Sequence, residues 1–194
     1  MKLLSILICT IPGRAKSFLP NILDQLGPQY DDNDTIELLY LGDNKNMTVG
    51  EKRNWLVKMA KGDYVVFVDD DDRIAPDYVS TLLSGIMHQR DRGIMPDVVC
   101  FHAEIRINCG PPVPVHYSAN HGQDQNLPGR YLRIPNHLMC VRRRLALDTP
   151  YAQISRGEDA DYARRLLPKI QIQHLIARTL YYYDFNSSTT EAQK

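Results

Sequence analysis

The chain lacks several features that would assign it to a specialised class of protein. No apolar stretch among its 194 residues approaches the roughly 18 that a membrane helix needs, and the amino terminus has no signal-peptide pattern. The four cysteines are scattered without Cys-x-x-Cys spacing, which argues against a zinc site or a disulfide framework. The formal net charge is zero. We therefore expect a cytoplasmic protein with no integral membrane segment.

The composition that remains is that of an ordinary globular domain, but its charge is unevenly distributed. Hydrophobic residues make up 43% and charged residues 24% of the chain, both typical of soluble proteins. Residues 1–97 carry 11 Lys/Arg and 15 Asp/Glu, whereas residues 98–194 carry 12 and 8, and ten of those 12 are arginine. The arginine-rich half suits an anionic partner, or it is simply a solvated surface.

Four consecutive aspartates, Asp69 to Asp72, are the most informative feature. They directly follow the run Tyr64-Val65-Val66-Phe67-Val68, whose β-branched and aromatic residues predict a buried strand. The carboxylates must then emerge at the carboxyl end of the strand, where open α/β sheets bind ligands. Crowded carboxylates repel one another unless a cation or hydrogen-bond donors intervene, and oxygen clusters suit Mg²⁺ or Mn²⁺ beside substrate phosphates. A solvated acidic turn is the alternative, and the flanking strand and helix-like segment favour metal–phosphate chemistry.

Strand and helix patterns alternate along the first half of the chain, which predicts βαβ units and an α/β fold with a mainly parallel central sheet flanked by helices. We expect strands at 3–9, 36–41, 64–68, 98–107, 136–141 and an extended segment at 172–183. Helices are expected at 17–26, ending at Gly27-Pro28, and at 50–60, 76–89 and 158–167. Residues 109–130, rich in Gly, Pro, Asn and His, predict a functional loop. We expect one domain over 1–186 and a flexible tail over 187–194.

Further motifs flank the aspartates in a fixed order. They are Ser5-Ile6-Leu7-Ile8-Cys9-Thr10-Ile11-Pro12, Gly50-Glu51-Lys52-Arg53-Asn54, Ala60-Lys61-Gly62-Asp63-Tyr64 and Arg156-Gly157-Glu158-Asp159-Ala160-Asp161-Tyr162. In this order and spacing they resemble family 2 glycosyltransferases of the GT-A fold, a single Rossmann-like nucleotide-diphospho-sugar transferase domain. The resemblance runs from about Leu4 to Ser188.

The resemblance implies a metal-dependent, inverting transfer of sugar from a nucleotide sugar, a UDP-sugar first, to an acceptor hydroxyl. It implies that residues 1–97 hold the donor with Mn²⁺ or Mg²⁺, and that residues 98–186 face the acceptor. Asp71 is then the primary metal ligand, Asp69 lies near the ribose or the metal, and Asp72 is the alternative ligand. Asp70 is expected to point to solvent or to cap the next segment. A third protein ligand is absent, or is Asp184.

The same resemblance implies the catalytic and donor-binding residues. Asp159, at a helix amino terminus, is the expected general base, and Glu158 is its acidic partner. The donor is expected to contact the first loop, where the family's usual Pro-Thr-Tyr-Asn is replaced, and positions around it. These donor-binding residues are Thr10, Pro12, Arg14, Asp43 at the nucleobase, Arg53, Asp69 and, in the sugar pocket, His137. Asp43 as an ordinary turn residue and His137 as a core or loop histidine are the alternatives.

The acceptor is left open by the sequence. It is a glycan or, by a weaker resemblance to small bacteriophage glycosyltransferases, a hydroxylated base in DNA, in which case the protein would act in the host cytoplasm. The run Arg142-Arg143-Arg144 is either the solvated start of a helix or a contact to acceptor phosphates. Two other functions compete: a catalytically silent nucleotide-binding module, and another metal-dependent phosphate-processing enzyme. The second lacks both an Asp-x-Asp-x-Thr nucleophile and a Gly-rich phosphate cradle.

Overall fold

The computed structural model describes residues 2–30 and 34–185, so the predicted tail over 187–194 lies outside the described residues. The strands are β1 Leu4–Thr10, β2 Ile36–Gly42, β3 Tyr64–Phe67, β4 Arg73–Ile74, β5 Val98–Ile107, β6 Val113–Tyr117, β7 Gln125–Leu127, β8 Arg130–Arg133, β9 Cys140–Arg142 and β10 Gln173–Phe185. The helices are α1 Pro12–Ala15, α2 Leu19–Tyr30, α3 Val49–Met59, α4 Tyr78–Asp91, α5 Arg143–Leu147 and α6 Glu158–Leu166. Single 3₁₀ turns lie at Ala119–His121 and Leu167–Lys169.

These strands form one sheet in the order β2-β1-β3-β9-β5-β6-β8-β7, with β10 beside β5 and β4 beside β10. The strands of the first half, β2, β1 and β3, pair in parallel, as the strand–helix alternation predicts. The second half makes the sheet mixed, because β9 is antiparallel to both β3 and β5, and β6 is antiparallel to β5. The parallel strands therefore end together at one edge of the sheet, which we call the carboxyl edge. The opposite edge, where β1 and β3 begin, is the amino edge.

The core lies around β1 and β3. Successive side chains of a strand face opposite sides of a sheet, yet nearly all those of β1 and all those of β3 are buried. The sheet is therefore covered on both faces here, which explains why these strands are continuous apolar runs rather than alternating ones. No helix in residues 2–30 and 34–185 combines the length and apolarity needed to cross a membrane.

Helix α3 is fixed at both ends. Thr48 caps its start: the Thr48 hydroxyl accepts from the Glu51 N–H at 3.2 Å, and the Glu51 carboxylate accepts from the Thr48 N–H at 2.7 Å. Beyond its end, a side chain at Gly62 would place Cβ 2.6 Å from the Ser5 Oγ, so only glycine lets this loop pack against β1. The orientation of α3 is thereby set, and it buries Lys52 and Arg53 beneath the carboxyl edge.

Helix α2 does not end at Gly27-Pro28, as the sequence predicted, but continues to Tyr30. Side-chain hydrogen bonds hold its last turns in place of the one that Pro28 cannot make. Oε1 of Gln25 accepts from the Ile74 N–H, and Oε1 of Gln29 accepts from the Val79 N–H, both at 3.0 Å. These bonds join distant parts of the chain, so no local signal reports them.

The predicted loop over 109–130 is wrong as well, because this segment contains β6, β7 and a 3₁₀ turn. Its backbone pairs with β5 and β8, and such pairing is supplied by neighbouring strands rather than by local sequence. The predicted strand over 136–141 begins only at Cys140. The side chain of Asn136 accepts from the Leu138 N–H at 3.1 Å and forms a turn there instead.

Candidate active site

The carboxyl edge brings together the ends of β1, β2 and β3. Asp69 to Asp72 follow β3, Asp43 follows β2, and the first loop follows β1. A buried hydrogen bond joins two of these segments, since the Thr10 hydroxyl donates to Asp70 Oδ2 at 2.6 Å. The structure therefore places the predicted first loop directly against the aspartates.

Asp70 binds Thr10 and Arg14 instead of pointing to solvent or capping the next segment, so the expectation for it was wrong. Its side chain is 3% exposed, and its second oxygen forms an ion pair with Arg14 Nη2 at 2.5 Å. Burial raises the pKa of Asp70 to about 6, although the Thr10 hydrogen bond and the Arg14 charge oppose this rise. Asp70 faces inward because the Thr10 hydroxyl and the Arg14 guanidinium replace the water that would solvate its carboxylate in an open turn.

Arg14 neutralises two of the aspartates. The same Nη2 also contacts the Asp71 carboxylate, and the guanidinium carbon lies 5.4 Å from the Phe18 ring centroid. Burial lowers the pKa of Arg14, but Asp71 and Asp70 raise it overall. Pro12, the first residue of α1, precedes it by two positions and favours this turn through its fixed φ. Arg14 Nε is buried with no hydrogen-bond acceptor in the described part of the chain.

Three aspartates of the run form ion pairs, and Asp69 is the most exposed of them, with 30% of its side chain accessible. Its Oδ1 lies 3.4 Å from Arg53 Nη2, and its Oδ2 lies 3.3 Å from His137 Nε2. Burial raises the pKa of Asp69, but the nearby His137 and Arg53 lower it well below its ordinary value overall. Asp69 is therefore held ionised, with His137 buried beside it.

Arg53 connects the two halves of the chain. Its Nη1 donates to Glu158 Oε1 at 2.9 Å, and its Nη2 approaches Asp69. The guanidinium carbon lies 5.5 Å from both the Phe67 and the Tyr151 ring centroids. Burial lowers the pKa of Arg53, but the surrounding negative groups, Asp69 first, raise it overall. This buried guanidinium sets the position of the first turn of α6 relative to the end of β3.

Lys52 is a site residue to which the sequence assigned no role. It is 3% exposed, and its Nζ lies 2.8 Å from Asp43 Oδ1 and donates to the Thr10 carbonyl at 3.2 Å. Asp43 also accepts from the Met47 N–H at 2.7 Å, and the bond with Lys52 lowers the pKa of Asp43. Lysine is rarely buried, so the sequence indicated a role for Lys52 only through its position beside Arg53 in a capped helix.

Tyr181 on β10 holds the other end of the aspartate group. Its hydroxyl donates to Asp72 Oδ2 at 2.6 Å and accepts from the Asp69 N–H at 3.0 Å. Burial, and then the negative charge of Asp69, raises the pKa of Asp72 well above its ordinary range. Asp72 Oδ1 is buried with no hydrogen-bond partner among residues 2–30 and 34–185.

Asp159 lies in the first turn of α6, after Gly157, whose φ of 75° is accessible mainly to glycine. It is half-buried, its Oδ1 accepts from the Ala160 N–H at 2.8 Å, and it has no ion pair with any residue that the structure describes. Burial raises the pKa of Tyr183, and the charges of Asp72, Asp69, Asp71 and Asp159 raise it further. The Tyr183 hydroxyl therefore lies within electrostatic range of both the aspartate group and Asp159.

The carboxylates suit a divalent ion that arrives with a phosphate ligand. In the described ranges no group of three or more His, Cys, Asp or Glu side chains converges as a preformed metal cage. Mg²⁺, however, is usually bound by one or two carboxylates together with water and substrate phosphates. Asp69 and the 19%-exposed Asp71 are the partly accessible carboxylates that could hold such an ion, and the unpartnered Asp72 Oδ1 is a further oxygen in the same run. Asp184 is paired instead with Arg73 at 2.8 Å.

The arginine run is not brought to this edge. Arg142 pairs with Tyr64 at the beginning of β3, six residues before Asp70. Arg143 donates from Nε to the Val57 carbonyl at 3.2 Å and from Nη2 to the Lys58 carbonyl at 3.1 Å, at the end of α3. The run therefore lies at the amino edge, away from the carboxylates.

Solved structures of known proteins identify the fold of this chain. The fold is that of GT-A glycosyltransferases, and similar solved structures are crystal structures of S. aureus TarS at 15–16% identity. TarS 1-349 in complex with UDP gives a TM-score of 0.70 over 95% of this chain and 61% of that one; with UDP-GlcNAc the values are 0.67, 99% and 62%. A longer TarS structure gives 0.68, with 95% of this chain and 37% of that one covered. The chain thus spans less than two thirds of each.

A match of the amino-acid sequence to a family model identifies the family. The model of Glycosyl transferase family 2 matches residues 18–135, more than half of the chain, and the chain belongs to this family. The resemblance seen in the motifs and the predicted fold class are thereby confirmed. No curated protein sequence matches the chain.

Proposed function

We propose that this glycosyltransferase is a metal-dependent, inverting enzyme that transfers sugar from a nucleotide sugar, a UDP-sugar first, to an acceptor hydroxyl. The observation that carries the proposal is that Arg53 joins Asp69, at the end of β3, to Glu158, which precedes the unpaired Asp159 in the first turn of α6. The S. aureus TarS structures with UDP and with UDP-GlcNAc have the same fold, which supports a uridine nucleotide as the first donor to test.

The proposed donor site consists of charged side chains that neighbouring protein groups hold in position. Lys52 and Met47 hold the Asp43 carboxylate at the end of β2, where it can accept hydrogen bonds from a nucleobase. Arg14 pairs with Asp70 and Asp71 and has a buried Nε–H that no described residue accepts. Arg53, in contrast, is engaged by Glu158 and Asp69, so it positions these carboxylates more than it contacts a donor. Thr10, Pro12 and His137 line the same edge.

A divalent ion would be held by Asp71 and Asp69, with Asp72 as the alternative ligand. Mn²⁺ or Mg²⁺ bound there would act as a Lewis acid that neutralises the diphosphate leaving group. Arg14 is paired with the Asp71 carboxylate. We expect its guanidinium to release Asp71 and turn to a phosphate oxygen, which would satisfy the unused N–H.

Asp159 serves as the general base. Its carboxylate takes the proton of the acceptor hydroxyl while the acceptor oxygen bonds to the anomeric carbon. The bond from that carbon to the diphosphate breaks, and its electron pair remains on the phosphate oxygen. A single displacement of this kind inverts the anomeric configuration. Glu158 is bonded to Arg53, so it orients the first turn of α6 and leaves Asp159 to face the acceptor.

We propose a glycan hydroxyl as the acceptor ahead of a hydroxylated DNA base. A DNA acceptor would need cations around the transfer site, and the run Arg142–Arg144 lies at the opposite edge. The division into a donor half over 1–97 and an acceptor half over 98–186, the single domain over 1–186 and the cytoplasmic location belong to the same proposal. All four cysteines are free thiols, which agrees with a reducing compartment.

A donor panel tests the function. The protein is incubated with UDP-, GDP- and dTDP-sugars and Mn²⁺, and free nucleotide and the anomeric configuration of the product are measured. We expect nucleoside diphosphate release from one donor class, increased by acceptor sugars, and an inverted product. Release of nucleoside monophosphate would instead favour a phosphate-processing enzyme. Binding without any release from the panel would favour the silent nucleotide-binding module.

A further inference from the structure

A cavity lies at the amino edge of the sheet. Its volume is about 420 Å³, and it is lined by the loop before β3 and by the start of α5, including Lys61, Gly62, Arg142, Arg143, Arg144 and Asp148. The chain from Asp63 to Asp69 runs along β3 and spans about 20 Å at roughly 3.3 Å per residue. The cavity is therefore separated from the aspartates by the length of the strand.

The cavity has more positive than negative charge. Four basic side chains line it against two carboxylates, Asp63 and Asp148. Arg143 is used to bind the last carbonyls of α3. Lys61, Arg142 and Arg144 have no ion pair with any of residues 2–30 and 34–185. Arg142 is half-buried, and Lys61 and Arg144 are exposed, so all three charged groups are open to a ligand in the cavity.

The floor of the cavity is fixed. The Gly62 N–H donates to the Ser5 hydroxyl at 2.9 Å, the Lys61 N–H donates to the Glu37 carboxylate, and the Arg143 N–H donates to the Asp63 carbonyl at 2.8 Å. A side chain at Gly62 would collide with Ser5. The backbone that presents the three cations is thus held by the core, and a ligand would not have to order it.

We propose that this cavity is a binding site for phosphate groups, remote from the site of sugar transfer. Arginine guanidinium groups bind phosphate oxygens in pairs, and ammonium groups add point charge, which matches Arg142, Arg144 and Lys61. The volume lies in the range of small-ligand sites. The phosphate could belong to a free phosphorylated metabolite or to a chain of phosphodiesters. The shared chemistry is a tetrahedral oxyanion.

Calorimetric titration of the full chain at low salt, without divalent cation, tests the proposal. The probes are inorganic phosphate and tripolyphosphate. We expect the double variant Arg142→Gln/Arg144→Gln to bind about tenfold more weakly, with a shallower salt dependence because two phosphate contacts are lost. The matched control, Arg90→Gln/Arg92→Gln, removes the same charge from the exposed end of α4 and should bind like the native chain. Lys61→Gln, on an exposed side chain, gives a second variant should the double variant fail to fold.

The outcomes separate this site from the transfer site and one ligand source from the other. Comparable affinity for both probes indicates a single phosphate group, whereas binding of tripolyphosphate alone indicates a polyanionic chain. No binding to the native chain, or equal binding by the native chain and the Arg142/Arg144 variant, would overturn the proposal. Mn²⁺-dependent UDP binding is measured in the same variants. It should not change, because that measurement depends on the carboxyl edge.

Discussion

Among the described residues, basic side chains are paired with carboxylates at one edge of the parallel strands and are unpaired at the other. At the carboxyl edge, Lys52 faces Asp43, Arg53 faces Asp69 and Glu158, and Arg14 faces Asp70 and Asp71. At the amino edge, three cations surround an open cavity without a partner in the described residues. Buried charges must be paired to be tolerated, whereas exposed ones need not be. The carboxyl edge is therefore preorganised for the reaction that we propose, and the amino edge is suited to reversible electrostatic binding.

The largest expected effect is on catalysis at the carboxyl edge. Asp159→Asn keeps the size and hydrogen-bonding capacity of the side chain but cannot accept the acceptor proton, so transfer should fall by about 10²–10⁴-fold. Donor affinity should stay near that of the native protein. Asp161→Asn is the matched control, because Asp161 lies in the same turn but is paired with Arg165. A near-native rate for Asp159→Asn would move the base elsewhere, with Glu158 the next residue to test.

Next in size is the stability cost of opening the buried charge network. Arg53→Met leaves Asp69 and Glu158 without their shared cation, and removal of one partner from a buried pair costs about 3–5 kcal/mol. Arg73→Met breaks an ion pair with Asp184 that is half exposed, and we expect about 0–1 kcal/mol for it. Urea unfolding of both variants measures the difference. Equal losses would mean that the network at the carboxyl edge is not electrostatically distinct from the surface.

The fold was predictable where local pattern and tertiary environment agree. The run Tyr64–Val68 and the parallel β1–β3 pairing follow directly from continuous apolar residues between helices. The prediction failed at Pro28, where Gln25 and Gln29 reach distant backbone groups, and at β6, whose partner strand supplies the pairing. These bonds link residues far apart in sequence.

The site was predictable as a location and less so in its contacts. The four aspartates indicated the edge, but which carboxylate turns inward depends on Thr10 and Arg14, sixty and fifty-six residues away. Lys52 was missed for the related reason that a buried lysine becomes tolerable only once Asp43 lies beside it. The predicted roles of individual residues at this edge remain predictions.

A smaller effect is expected from pH. The pKa of Asp70 is raised from 3.8 to about 6 in the folded protein, so the native state holds a proton that the unfolded chain has already lost. Stability should therefore fall as the pH rises from about 4 to about 6, by up to about 3 kcal/mol from this group. Asp70→Asn cannot ionise, so this part of the decline should disappear in its thermal or urea unfolding curves. An unchanged pH profile would show that Asp70 does not titrate as its burial implies.

The smallest expected effect concerns competition for Asp71. Arg14→Gln removes the guanidinium that pairs with Asp70 and Asp71, so Mn²⁺ should bind the nucleotide-free protein more tightly, by about tenfold for a gain near 1.4 kcal/mol. Electron paramagnetic resonance of free Mn²⁺ measures this directly. Arg73→Gln removes a charge next to the cluster but paired with Asp184, and it should change Mn²⁺ affinity little. Weaker Mn²⁺ binding by Arg14→Gln would mean that Arg14 supports the ion instead of competing with it.

We propose above all that the carboxyl edge binds a nucleoside diphosphate through a divalent ion on Asp71. The most direct test is the affinity for UDP, measured by calorimetry with and without Mn²⁺, in the native protein and in Asp71→Ala. We predict that Mn²⁺ strengthens UDP binding to the native protein, and that Asp71→Ala loses this strengthening with little change in unfolding free energy, since Asp71 is partly exposed. The same Mn²⁺ dependence and the same affinity in Asp71→Ala would contradict the claim.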